Sequence, residues 1–404
     1  MNRHQLLATL IPLSISSLAS AVLWTSLPFR LHSLHLSLGY LGILQSASMF
    51  GILLIELPAS ILIDIHGRRR VIIYGVVTVA LALAFMSITI SLAELVVEII
   101  LFAMGYNLIS LPIVLSLYEE TGTESRGKAS SLNLFATSSG AFTGLILAGF
   151  LNLTFIPILY AVLSGIIIAS GLVVRISPVN KRSNGQHRPA LARYKSAIDQ
   201  FWLDITHLPK IIRKNNFLKR YVVIQGLLSF CWGSTLVFLP ALSLRFGLNL
   251  SQAFILFSGI ELSSMAFPLL GGYIADKLPT SFFFIMRPLS VLVPFLALVL
   301  ANSLVTLIIA LILVETWSLF APGNRVFVFD QYSEEERSVA RGVSMLITHI
   351  IGIVSPLVGL LLWEISPKIL FGVSSLISIP VFLLSINTLR VNSKSKAAKE
   401  IGAQ

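Results

Sequence analysis

The sequence predicts an all-α polytopic membrane protein of twelve transmembrane helices. Three observations carry that reading. Hydrophobic residues make up 55% of the chain and charged ones only 12%, with a mean hydropathy of +0.88. A soluble domain carries about 25% charged residues, so this chain has too few to wet its surface. The apolar residues come in long blocks rather than in a helical stripe, and about 20 such residues cross roughly 30 Å of hydrocarbon as a helix. Lysine and arginine also gather in alternate connections, the pattern of inner loops.

The blocks fall at 7–29, 38–63, 71–90, 92–118, 129–151, 153–175, 220–243, 252–275, 282–301, 303–324, 342–363 and 367–389. The opening MNRHQLLATLIPLSIS reads as the first span, because no polar segment or small-residue cleavage site precedes the next block. Residues 1–175 form an N-terminal six-helix bundle, 176–219 a basic cytoplasmic linker, and 220–404 a C-terminal six-helix bundle with its tail. In the linker, Tyr194, Ile198, Phe201, Trp202 and Ile205 recur at helical spacing, which suggests an amphipathic helix at the membrane interface.

Charge fixes the expected orientation. With the N-terminus inside, the inner segments hold Arg3, Arg68 to Arg70, Arg126, Lys128, Lys277, Arg325, Arg337, Arg341 and the basic tail. The outer segments hold Arg30, Arg245 and Lys368. Both termini are therefore expected in the cytoplasm of a cell-membrane protein. The net charge of +11 reflects this asymmetry and suits anionic inner-leaflet lipid, not nucleic acid. Cys231 is the only cysteine, which rules out an internal disulfide, and no metal centre or cofactor is expected.

The two halves repeat. A shift of 212 residues lays Leu27-Pro28 on Leu239-Pro240 and Asp64 on Asp276. A shift of 215 lays EETGTESRG (119–127) on EEERSVARG (334–342), and Gly144 on Gly359. Parallel repeats of this kind place a shared site near mid-membrane at the repeat interface.

The connection after the second span, SILIDIHGRRR, resembles the signature of the major facilitator superfamily. The approach ELPAS, with Glu56 and Pro58, is similar to the lead-in found in drug-exporter-like members. GGYIADKLP looks like a degenerate second copy, and ESRGKASS resembles the family's basic turn between spans 4 and 5. Departures are Ser60 where the motif prefers glycine, Leu101 where many proton-coupled members carry arginine, and a fifth span without the antiporter Gly-Pro. The resemblance implies a secondary transporter of two six-helix bundles working by alternating access on a small molecule, and the protein is expected to act as a monomer.

A gating latch is expected from the same motif. Asp64 would face the N-terminal end of the eleventh span, whose free N–H groups favour an anion. Arg68 or Arg69 would pair with Glu119 or Glu120 at the foot of the fourth span, with Gly67 making the turn. Arg126, Asp276 and Arg341 complete the set by repeat. A purely topological role for the arginines is the alternative.

Ionisable groups inside the bilayer are functional candidates by default. Glu315 lies about twelve residues into the tenth span, about 18 Å deep. Glu261, His349 and Glu98 fall in spans 8, 11 and 4. The resemblance implies that these spans line or flank the central cavity. Burial would push a carboxyl toward neutrality, as a proton carrier needs; a structural hydrogen bond is the alternative, and the more natural one for His349. Asn107, Gln225, Trp24 and Trp232 are neutral cavity candidates. The small-residue stripes on spans 5 and 11 read as helix packing.

No enzyme is expected: the sequence has no HExxH, no paired intramembrane aspartates and no nucleotide-binding loop. The expected function is proton-coupled efflux of an amphipathic or cationic compound, the cation favoured by acids without a mid-membrane arginine. Uptake or facilitated diffusion of a sugar or other neutral metabolite is the alternative. A non-transporting substrate sensor is a more distant one.

Overall fold

A computed structural model describes residues 3–121, 126–150, 156–176, 216–275, 277–329, 331 and 334–401. The described chain is helical, without strands. The first six helices are α1 (Arg3–Ser33), α2 (Tyr40–His66), α3 (Arg68–Met86), α4 (Leu92–Thr121), α5 (Arg126–Phe150) and α6 (Ile156–Ile176). Then come α7 (Asn216–Thr235), a 3-10 turn (Leu236–Phe238), α8 (Leu239–Arg245), α9 (Leu250–Ala275), α10 (Thr280–Met286) and α11 (Leu289–Leu300). The last four are α12 (Leu304–Val314), α13 (Thr316–Phe329), α14 (Glu334–Ile365) and α15 (Pro367–Ile401).

Among the described residues, eleven segments are long and apolar enough to cross a membrane. A twelfth, Tyr40–Glu56 with Pro58–His66, bends by 42°. Proline removes a ladder hydrogen bond and clashes with the preceding turn, so Pro58 accounts for that bend. The expected apolar blocks all fall on these segments.

Among the described residues, three spans carry a local interruption of regular α-helix, which hydropathy does not reveal. The seventh passes from α7 through the 3-10 turn to α8, with Pro240 at the start of α8. The ninth breaks at Arg287-Pro288, between α10 and α11. The tenth breaks at Glu315, between α12 and α13. There the Glu315 N–H donates to the Ile312 carbonyl at 3.1 Å, and the Ser318 N–H to the Glu315 carbonyl at 3.0 Å. Such three-residue spacing tightens the helix locally and often marks a hinge.

The chain packs as two compact units. The first comprises Met1–Gln200 and Val237–Met265. In it α1 runs along α5 and α6, α4 packs between α2 and α3, and α8 lies against α1. Gly149 lets α5 and α9 approach, since a Cβ there would come within 2.8 Å of Ile255 Cγ1. Lipid tails are as apolar as leucine, so such helices are held by close packing and hydrogen bonds across the interface. Ser164 donates to the Ala80 carbonyl at 2.8 Å, and the Ser26 and Tyr160 hydroxyls bond at 2.9 Å. Ile55, Ala59, Ile63, Val71 and Leu108 make one buried cluster among α2, α3 and α4.

The second unit comprises Phe201–Leu236 and Ala266–Gln404. Here α7 packs on α14 and α15, α11 on α12 and α15, and α10 on α13. Cys231 is buried and donates its S–H to the Ser374 carbonyl at 3.4 Å. Ser375 donates to the Leu292 carbonyl at 3.1 Å.

The closest approach between α3 and α4 rests on a glycine pair. A Cβ on Gly75 would meet the Gly105 carbonyl oxygen at 2.6 Å and the Ile109 nitrogen at 2.9 Å. Both are backbone atoms and cannot swing away. Gly75→Val is therefore expected to destabilise the detergent-solubilised protein by about 1–3 kcal/mol or more. Gly165→Ala, which faces open space, is expected to be neutral. Equal melting temperatures for the two variants would contradict the packing.

Candidate functional site

The turn between α2 and α3 is made by Gly67. Its φ of 81° with ψ of 154° belongs to a region open essentially to glycine alone. Its N–H donates to the Ile63 carbonyl at 2.9 Å, closing α2. Asp64 is exposed in the last turn of α2, and Arg69 is half-buried. Arg68 reaches across to α4, where its Nη1 donates to Ser116 Oγ at 3.2 Å. Ser116 precedes Glu119 and Glu120 by about one turn. The side chains of Glu119, Glu120, Arg126 and Arg341, and the whole of Asp276, lie outside the described residues, as do residues 177–215 of the linker.

In the second unit, α7, α14 and the break in the ninth span bring together a polar cluster. Arg287 Nη1 donates to Gln225 Oε1 at 3.0 Å. The Gln225 amide nitrogen donates to Ser229 Oγ at 3.3 Å and to Thr348 Oγ1 at 3.5 Å. Thr348 passes its proton to the Ser344 carbonyl at 2.8 Å, and Tyr221 meets the Ser344 hydroxyl at 3.5 Å. Tyr221, Gln225 and Ser229 are four apart, so they share one face of α7. Further along, Gly233 backs onto Ser355, which keeps α7 and α14 close.

Arg287 was not among the sequence candidates. Its signal was available: it stands inside the ninth apolar block, next to Pro288, where a charge is costly. It also removes the ground for preferring a cation, because an arginine does lie within a spanning segment, Thr280–Leu300.

Beyond Ser229 the same face of α7 turns aromatic. Trp232 lies 5.3 Å from Phe295 and 5.8 Å from Trp317, centroid to centroid. Trp317 follows the half-buried Glu315 by two positions, so the chain passes from the interruption in the tenth span into this aromatic wall within one turn. His349 is half-buried, one position from Thr348 on α14. The other face of α7 and α14 is an apolar groove of about 440 Å³ floored by Gly226 and lined by aliphatic side chains and Phe230.

The first unit holds the remaining candidates. Ser17 and Tyr106 hydroxyls bond at 3.2 Å, with Phe102 stacked on Tyr106. Trp24, Asn107 and Glu261 are half-buried. Glu98 is buried and accepts a hydrogen bond from the Thr89 hydroxyl. The Thr89 carbonyl in turn accepts from Arg30, which is buried in the last turn of α1 and not held in an open outer loop. These three residues tie α1 and α4 to the connection after α3, at the opposite end of α3 from Gly67. Among the described residues no group of three or more His, Cys, Asp or Glu could hold a metal ion.

Thr89→Val keeps the shape and removes the hydroxyl, leaving the Glu98 oxygen it serves without that donor. A buried polar group that loses its partner costs about 1–3 kcal/mol. The variant is expected to melt measurably below the wild type, whereas Ser87→Ala, at an exposed hydroxyl, should melt with it. Identical melting curves would show that the bond from the Thr89 hydroxyl to Glu98 holds nothing.

The fold and these sites can be set beside known proteins. No curated protein gives a significant sequence match. Among solved structures, a single-residue mutant of the nucleoside transporter NupG aligns with a TM-score of 0.78 at 13% identity, covering 96% of this chain and 100% of its own. A bacterial homologue of the human lysosomal transporter Spinster, inward-facing and unoccupied, aligns at 0.73 and 13% identity, covering 96% and 98%. The human organic anion transporter MFSD10 aligns at 0.63 and 17% identity, covering 95% and 99%. At such identities these likenesses speak for the fold. The sequence model of the Major Facilitator Superfamily matches residues 10–355. The chain is therefore a multi-pass membrane transporter, not an enzyme, and belongs to the Major Facilitator Superfamily.

Proposed function

We propose that this transporter works by alternating access of two six-span repeats, moving an amphipathic small molecule out of the cell in exchange for protons. Both termini would lie in the cytoplasm, and the protein would act as a monomer. The observation that carries this reading is the interruption of the tenth span at Glu315, two positions before Trp317, which joins the wall of Trp232 and Phe295. A carboxylate at a helix break within the bilayer suits a proton carrier, because protonation removes the charge before the group meets hydrocarbon. The aromatic faces of that wall suit the apolar part of a substrate. Glu261 is the second carrier candidate. Asp64, Gly67, Arg68 and Arg69 with Glu119, Glu120, Arg126, Asp276 and Arg341 form the proposed latch, and Arg68 reaching Ser116 supports its first half.

A second reading is uptake or facilitated diffusion of a neutral metabolite. The amide and hydroxyl cluster of Gln225, Ser229 and Thr348 favours it, since such groups suit a neutral polar solute. The likeness to a nucleoside transporter is compatible with either direction.

Substrate-driven proton movement separates the two. Purified protein in liposomes carrying an internal pH dye would be offered lipophilic cations, neutral amphiphiles, sugars and organic acids. Export by exchange is expected to move protons with one class, and Glu315→Gln to abolish that movement, by about tenfold or more, while leaving substrate binding intact. Substrate flux without protons would sink the exchange reading and leave facilitated diffusion.

A further inference from the structure

The cluster around Gln225 has a direction, and Arg287 sets it. A glutamine amide can be turned either way, but a guanidinium donates and never accepts. With Arg287 Nη1 at 3.0 Å, the Gln225 oxygen is committed to Arg287. The amide nitrogen must then face Ser229 and Thr348, and both accept from it. Thr348 gives its own proton to the Ser344 carbonyl at 2.8 Å. Ser229, having accepted from the amide, still has a proton to give. Within the described residues that proton can reach Thr348 Oγ1, at 3.5 Å, a long and weak bond.

We propose that Arg287 is a positioning residue that fixes the polarity of the Arg287–Gln225–Ser229 chain, so that the site takes a substrate group that accepts hydrogen bonds. A carbonyl, ether, hydroxyl or carboxylate oxygen fits the Ser229 proton better than its long bond to Thr348 does. An ammonium group, which needs acceptors, does not. Trp232 lies one turn beyond Ser229 on the same face of α7, so the accepting oxygen belongs next to an aromatic or other apolar part of the substrate. The assignment rests on the reading of this cluster as the substrate site.

The test uses two aromatic probes of similar size: the neutral N,N-dimethylbenzamide, which only accepts, and the cationic N,N-dimethylbenzylammonium, which only donates. Equilibrium binding of each radiolabelled probe to the full-length protein in vesicles gives a ratio within one preparation, so a loss of folded protein cancels. The wild type is expected to favour the amide by about tenfold, the factor that leaving one buried hydrogen-bonding group unpaired costs. Gln225→Glu keeps the bond to Arg287 and removes the N–H donors. Ser229 must then donate inward and accept outward, and the preference should reverse. Arg287→Leu frees the amide to turn, and the ratio should fall toward one, while Arg287→Lys keeps a donor and should keep the preference. A ratio unmoved by Gln225→Glu and Arg287→Leu, a wild type that favours the ammonium, or one that binds neither probe would overturn the assignment. Flux of the same probes is a separate readout. Binding with the expected ratio and no flux would count against transport through this site and leave the role of Arg287 standing.

Discussion

Inside the hydrocarbon layer a polar group has no water to turn to, so it must find its partner within the protein. That constraint orders most of what is seen here. Many serines and threonines return their hydroxyl to a carbonyl one turn back, as Ser16 does to Leu13, Ser26 to Leu23 and Thr235 to Cys231. Others reach across to a neighbouring helix, as Ser164 does to α3 and Ser375 to α11. Two groups of charged side chains are bonded through at least one of their atoms. One is the Arg30–Thr89–Glu98 cluster in the first unit, and another is the Arg287–Gln225 pair in the second.

The same constraint explains why the breaks matter. An interrupted helix leaves backbone groups unpaired, which is tolerable at membrane depth only where the protein re-satisfies them. Two of the three broken spans belong wholly to the second unit, at Arg287-Pro288 and at Glu315, and both carry an ionisable side chain at the break. The third interrupts the seventh span just past Trp232, at the end of α7. The polar chain, the aromatic wall and Glu315 therefore each lie on or next to an irregular stretch of helix. The first six helices, by contrast, carry no such interruption, with α3 and α4 packed through Gly75 and Gly105 and a bend of 42° at Pro58.

Much of this was legible in the sequence. Block lengths gave each span to within a few residues, because hydropathy over about 20 residues is set by the bilayer itself. The Gly67 turn was legible because glycine between two apolar runs signals a backbone other residues avoid. Glu315 was legible as a deep acid, but its break was not, since no proline marks the position and the turn follows from local hydrogen bonds. Arg287 escaped because a single charge scarcely lowers the hydropathy of its block, and its role depends on Gln225, 62 positions away. Arg30 looked like an outer anchor because it ends an apolar run; only the neighbouring Thr89 and Glu98 make it an internal group.

On the proposed reading, the internal repeat, Glu315 in the tenth span and the charged turn at Gly67 belong to a machine that opens to one side at a time. That claim is tested most directly by paired distance measurements between spin labels in liposomes. The native Cys231 is buried, so engineered cysteines can be labelled selectively. One pair, Ile65→Cys and Leu278→Cys, reports on the expected inner ends, and a second, Ile90→Cys and Asn302→Cys, on the expected outer ends; all four positions are exposed. Alternating access requires two distance populations in each pair, with the inner distance lengthening as the outer one shortens when pH is changed or substrate is added. Single distances that stay fixed in both pairs under every condition would contradict it.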